Sequence, residues 1–157
     1  MYPALDIALK MLEIAKKDGE ILTHLQLQKL VYIAHGLSLA QHGKPLLKEG
    51  VETWRYGPVI PSIYHKFKRF GSGVLRKYKK SSLAIDESSQ ELLEYVVKKF
   101  SLYSGTQLSS LTHQKDSPWY KVWYDREGRE IRGALIPDEI IKEHYDKILE
   151  SGKASCL

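Results

Sequence analysis

Six histidines, His24, His35, His42, His65, His113 and His144, are the side chains of this 157-residue sequence best suited to moving protons or holding a metal. No two lie three or four positions apart, so no helical face presents two imidazoles to one ion. His35 and His42 are seven apart, and two helical turns separate them too widely to share a ligand. His113 with Asp116 has the form of a general base and its orienting carboxylate, yet the neighbouring hydroxyls, Ser109, Ser110 and Thr112, are of common type. The plainer reading ends a short helix at His113 and bonds its ring to the last carbonyls. Glu52 reads in the same plain way, as one half of an ion pair with a nearby lysine or arginine. The single cysteine, Cys156, excludes a disulfide framework and a thiolate zinc site. Neither a phosphate-binding glycine loop nor a nucleophile elbow occurs. The expectation is a protein without catalytic residues, metal or cofactor, and not an enzyme.

The elements that position these residues follow from periodicity. Apolar Ala4, Leu5, Ala8, Met11, Leu12 and Ala15 recur at helical spacing, with Lys16 and Lys17 at the negative end of the dipole. Thr23 and Gln26 form a capping box that opens a second helix running to about Gln41, before Gly43 and Pro45. This helix is apolar over most of its circumference and belongs at the centre of the fold. From 51 to 55 the period changes to two, which suits a short strand, and Pro58 and Pro61 bracket a turn into a third helix, 62–70, carrying Ile63, Tyr64, Phe67 and Phe70.

The stretch 71–85 reads as a loop, and Ser88 with Glu91 as a second capping box ahead of a helix through Leu92, Leu93, Val96, Val97 and Phe100. A short helix spans 106–113, and Asp116 or Ser117 caps a further turn with Pro118 at its first position. Ile131 is the expected strand partner of 51–55, and Pro137 opens a last helix through Ile140, Ile141, His144, Tyr145 and Ile148. The expected fold is mainly α: a compact single-domain bundle of about six helices with a small two- or three-stranded β element. Its domain spans 1–150, and 151–157 form a flexible C-terminal tail.

Hydrophobic residues make up 43% and charged residues 27%, ordinary soluble usage for one core. The sequence has neither an apolar run long enough to span a bilayer nor the order of a secretory signal, so it is expected in the cytoplasm with no membrane partner. The net charge of +5 is concentrated in 66–80, where Lys66, Lys68, Arg69, Arg76, Lys77, Lys79 and Lys80 stand without an acid. Phe67, Phe70 and Tyr78 are interleaved with them, a pattern that suits nucleic acid. Because Phe67 and Phe70 share the stripe of Ile63, the core claims them, and a solvated or partner-facing patch is the favoured reading over a nucleic-acid site. Three tryptophans and ten tyrosines complete a heavy aromatic load, most of it core and some of it suited to an interface.

Several blocks together resemble one family. Leu25-Gln-Leu-Gln-Lys-Leu-Val-Tyr-Ile-Ala-His-Gly36 is similar to the "LxKLLYYAqG" helix of the Panacea (SocA-like, phage-associated) antitoxin domain. Pro45-Leu-Leu and Glu52-Thr-Trp-Arg-Tyr-Gly-Pro-Val-Ile-Pro61 resemble its "PLF…E.W.YGPV.P" signature, continued by Tyr64 and Phe67. Leu111-Thr-His113 with Ser117-Pro-Trp119 resembles "L..lTH…PW", and Ile136-Pro-Asp-Glu-Ile140 the closing helix. The blocks run in order from about Ala4 to Tyr145, and departures at Val31, Ile33 and Leu47 bear on partner specificity.

The resemblance implies an antitoxin that neutralises a cognate protein toxin by direct binding. It also implies an alternative, a proteolytic adaptor that delivers its toxin to a AAA+ protease. A nucleic-acid-binding protein using 66–80 is the reading from another class. For the partner-binding surface the expected residues are Lys29, Tyr32, Trp54, Arg55, Tyr56 and Lys66, with Gly57 and Pro58 shaping the turn between them.

Overall fold

Helix α2, His24–His42, is the axis of the molecule, and its first turn is built as the sequence predicts. The Thr23 hydroxyl accepts from the Gln26 backbone N–H at 3.2 Å, while Gln26 returns its carboxamide oxygen to the Thr23 N–H at 2.9 Å. Gly43, with φ 66°, ends the helix in the left-handed conformation. Every residue from 27 to 39 is buried, so this helix has no solvent face along its middle. The structure is a computed structural model that describes residues 1–152.

Around α2 pack α1 (Ala4–Lys17), α3 (Pro61–Phe67), α4 (Glu87–Phe100), α5 (Gly105–Thr112) and α7 (Asp138–Ser151), with the single turn α6 (Pro118–Tyr120) beside α7. Core side chains from Ala4 to Ile148 form one cluster. The most extensive helix packing is between α2 and α7, where the Tyr145 ring lies on the α2 backbone at Gly36. A Cβ there would stand 2.3 Å from Tyr145 Cε2, so only glycine fits. His35, equally buried, accepts through Nδ1 from the N–H groups of Leu46 and Leu47 at 3.3 Å each and donates through Nε2 to Asp138 at 2.9 Å. That histidine ties three segments together. Helix α1 begins after Pro3, which offers no side-chain cap. Glu49 takes that role from a distance, accepting from the Ala4 N–H at 3.0 Å and from Ser62 Oγ at 3.0 Å.

Three short antiparallel strands complete the fold in the order β2-β1-β3: β1 Val51–Trp54, β2 Gly57–Val59 and β3 Leu135–Ile136. Val51 pairs with Ile136, and Trp54 pairs with Gly57 across the two-residue turn Arg55-Tyr56. The third strand thus falls four residues after Ile131, which is 59% exposed. A 3-10 turn at Gly128–Glu130 and the bend after it carry the chain past Ile131, and Ala134 is the first residue to meet β1, accepting from the Thr53 N–H at 2.7 Å.

Two further boundaries differ from expectation. Helix α4 is capped by Asp86, whose carboxylate accepts from the Ser89 N–H at 2.7 Å, with Ser88 already inside the helix. Helix α5 gains its own capping box from Ser104 and Gln107. Ser117 caps the turn opened by Pro118 as expected, and a π-helical turn, Lys121–Asp125, continues it. The stretch 71–85 contains no helix, but Leu75 is buried and its N–H bonds to the Leu22 carbonyl at 2.8 Å. Of the expected tail, 153–157, with Cys156, lies outside the described residues; Ser151 still belongs to α7, and Gly152 caps it.

Candidate partner-binding cleft

The β1–β2 hairpin is held in place from below by two consecutive side chains of α2. Gln28 brackets Ile60, its amide nitrogen donating to the carbonyl at 3.0 Å and its oxygen accepting from the N–H at 3.0 Å. Lys29 Nζ donates to the Pro58 carbonyl at 2.9 Å. Two contacts fix the turn from the other side: Ser109 Oγ donates to the Tyr56 carbonyl at 2.9 Å, and the Trp119 indole N–H donates to the Trp54 carbonyl at 2.6 Å. Arg55 and Tyr56 keep negative φ, so the left-handed excursion falls on Gly57, at φ 124°. A Cβ at Gly57 would also stand 2.8 Å from Lys29 Nζ.

Between the hairpin and the start of α2 lies a cleft of about 410 Å³. Lys29 and Gln28 form its floor, Leu25, Trp54, Val59 and Tyr64 its apolar walls, and Arg55 and Tyr56 its rim. The Trp54 and Tyr64 rings meet edge to face at 4.7 Å, which fixes the wall, and the Arg55 guanidinium lies over the Tyr56 ring at 5.4 Å. Tyr56 is 71% exposed, whereas Lys29 is 1% exposed. Burial pushes the Lys29 amine down to about 7, since the interior penalises its charged form. Burial also lowers His24, whose Nε2 has no hydrogen-bond partner among the described residues. Among the described residues no carboxylate lines the cleft.

A second cleft of about 400 Å³ shares Trp54 and Arg55 with the first and is lined further by Arg129, Arg132, Trp123, Ile131 and one carboxylate, Glu52. Trp54 and Arg55 therefore border two concavities that are both net cationic.

Of the residues expected at a partner surface, the fold brings Lys29, Trp54, Arg55 and Tyr56 to one place. Tyr32 lies elsewhere: it is fully buried, its ring meets Tyr145 edge to face at 6.1 Å, and burial raises its hydroxyl far above the ordinary value. It belongs to the core, because α2 is enclosed on all sides. Lys29 is a floor and not an exposed cation, for the same reason. Lys66 is exposed on α3 outside the cleft lining. Sequence reasoning missed His24, Leu25, Gln28, Val59 and Tyr64 as cleft residues. Leu25 and Lys29, four apart on one helix, carry the signal that finds them.

His113 and Glu52 make structural contacts among the described residues. His113 Nδ1 donates to the Ser109 carbonyl one turn back, and its ring packs against Trp119 at 5.2 Å. Glu52 accepts from the Trp54 indole at 3.2 Å and forms no ion pair with a cation among the described residues. Among the described residues no group of three metal-ligating side chains occurs, and no helix is long and apolar enough to cross a membrane. All seven cations of 66–80 are exposed, Phe67 is buried, and Phe70 and Tyr78 are half-buried. The rings that stacking on bases would need are thus turned toward the protein.

The family described as "Antitoxin SocA-like, Panacea domain" matches residues 27–120, a span that contains Lys29 and the whole hairpin. A curated relative, "Antitoxin SocA" of Caulobacter vibrioides (strain NA1000 / CB15N), is 32% identical over 136 residues, covering 79% of this chain and 72% of its own. No solved structure matches the chain.

Proposed function

Because the chain belongs to the SocA-like antitoxin family that carries the Panacea domain, we propose that it neutralises a protein toxin in the cytoplasm by occupying the toxin's surface, with no chemical step. One observation carries the reading: a rigid hairpin presents Arg55 and the 71%-exposed Tyr56 directly over a cationic, apolar-walled cleft. Tyrosine, tryptophan and arginine dominate binding hot spots, because they cover large areas with few rotors and add directional polar contacts. The hairpin's backbone is bonded to α2, α5 and α6, so little ordering cost is left for association.

Co-expression with the product of the neighbouring reading frame tests this. Rescue of growth and co-purification of the two chains are expected. Failure of both rules out neutralisation by occupancy. Measuring the partner's half-life in the same cells separates occupancy, which leaves it unchanged or longer, from delivery to a AAA+ protease, which shortens it.

A further inference from the structure

Two nitrogen atoms at the base of the α2–hairpin cleft have hydrogen-bonding capacity that the fold leaves unused. An ammonium carries three donors. Lys29 Nζ spends one of them, on the Pro58 carbonyl, and forms no ion pair among the described residues. His24, 8% exposed and in the same lining, has Nε2 without a hydrogen-bond partner among the described residues. Buried polar groups are ordinarily satisfied, so two under-used nitrogens in one concavity mark a place that a ligand completes, His24 donating there in the tautomer that carries its proton on Nε2.

The surroundings define that ligand's chemistry. Leu25, Trp54, Val59 and Tyr64 make the walls apolar, so the occupant is apolar along its flank and bears an acceptor at its tip. Its charge follows from the absence of any acid in the lining and from Arg55 on the rim. Lys66, Lys68 and Arg69, exposed on α3 and the turn after it, extend the same sign beyond the cleft. Its size follows from Tyr56: a small organic acid would fill the cleft and leave this ring in water, whereas a polypeptide would cover both.

We propose that the cleft is the dock for an acidic segment of a partner polypeptide, in which an apolar side chain packs between Leu25, Trp54 and Tyr64 and an adjacent carboxylate is received by Lys29 and His24. The inference rests on the antitoxin reading only for the identity of the partner. A carboxylate supplies the counter-charge that a buried ammonium lacks, and one brought by a partner is withdrawn when the partner leaves.

The test uses fluorescein-labelled octapeptides with leucine or phenylalanine set among aspartate and glutamate, and the same peptides with asparagine and glutamine in place of the acids. Anisotropy is read against the full chain, Lys29→Met, Arg55→Glu and, as a control on the remote α4 helix, Lys98→Met. The acidic set binds at least about tenfold more tightly than the amide set, Lys29→Met and Arg55→Glu each weaken it about tenfold, and Lys98→Met leaves it unchanged. Circular-dichroism melts report whether Lys29→Met folds; Arg55→Glu, at an exposed turn, decides the outcome if it does not. Equal affinity for both peptide sets, no binding of either, or undiminished binding by the folded variants overturns the proposal. A toxin that co-purifies equally with wild type and both variants also overturns it and leaves the antitoxin reading intact. Acidic peptides bound by a chain that captures no toxin support the cleft and remove that reading.

Discussion

Lys29 and the lysines of 66–80 carry the same ammonium group in opposite surroundings. The latter stand in water, where Lys80 meets Glu13 at 3.2 Å and Lys68 lies 6.0 Å from the centre of the Tyr64 ring, contacts that salt screens and that contribute little. Lys29 is enclosed by its own helix, Gly57 and the Pro58 carbonyl, and among the described residues no acid lines its cleft. An abundant exposed charge sets solubility and steers encounters, whereas a single buried one stores free energy that the right partner releases. The conspicuous cluster is therefore the weaker functional signal, and the isolated lysine inside a hydrophobic helix is the stronger.

The contrast can be broken most directly through pH. The Lys29 amine is lowered to about 7 in the folded chain, against 10.5 for an ordinary lysine in water. Between those values the unfolded state binds more protons, so stability rises as pH increases from 7. The expected gain by pH 9 is roughly 2–2.5 kcal/mol, measured by urea denaturation before tyrosines titrate appreciably. His24, Arg55, Tyr56 and Tyr64 share its cleft, and of these His24 adds a rise of the same sign as pH passes up through 6.5. Lys29→Met removes the slope above pH 7. An unchanged slope in that variant would show that Lys29 does not feel its burial.

Tyr56→Ala tests the other side of the comparison, function without stability. Its exposed ring predicts a melting temperature within the range of an ordinary surface change, and a loss of toxin affinity of about 2 kcal/mol by calorimetry. A variant that binds normally removes Tyr56 from the interface. Gly57→Ala presses a methyl toward Lys29 Nζ and strains a positive φ, and is expected to cost about 1.5 kcal/mol of unfolding free energy. Smallest of all, Lys77→Gln with Lys79→Gln should shift stability by less than about 0.5 kcal/mol and leave toxin affinity at physiological salt unchanged. A large loss of affinity there would reverse the ranking of the two cationic regions.

Much of the architecture is legible because its causes are local. The Thr23–Gln26 box, the Ser117-Pro118 start and the apolar spacing of α1, α2 and α7 each follow from hydrogen bonds and periodicity within a few residues. The Trp54-to-Pro58 turn declares itself through Gly57. The misplaced features depend on distant partners. Asp86 caps α4 in place of Ser88 while also accepting from the Tyr2 hydroxyl at 3.0 Å, a contact across 84 positions. The Ser89 N–H, more than the Ser88 and Tyr2 hydroxyls, holds its carboxyl well below the usual carboxylate range. Strand β3 forms at 135–136 because the pairing begins where Ala134 reaches Thr53, a point that no alternation near Ile131 reveals.

What the sequence alone determined is the helical character of the chain, the central place of α2, and four of the residues, Lys29, Trp54, Arg55 and Tyr56, that meet at the candidate cleft. Only the tertiary structure decided which of those residues face outward. A helix apolar all round has no face that periodicity can assign, so Tyr32 turns to Tyr145 and Lys29 to the hairpin according to what packs beside each. Burial is a property of neighbours contributed by remote segments, and for that reason the cleft, its walls from α2 and the hairpin together, exists only once the chain has folded.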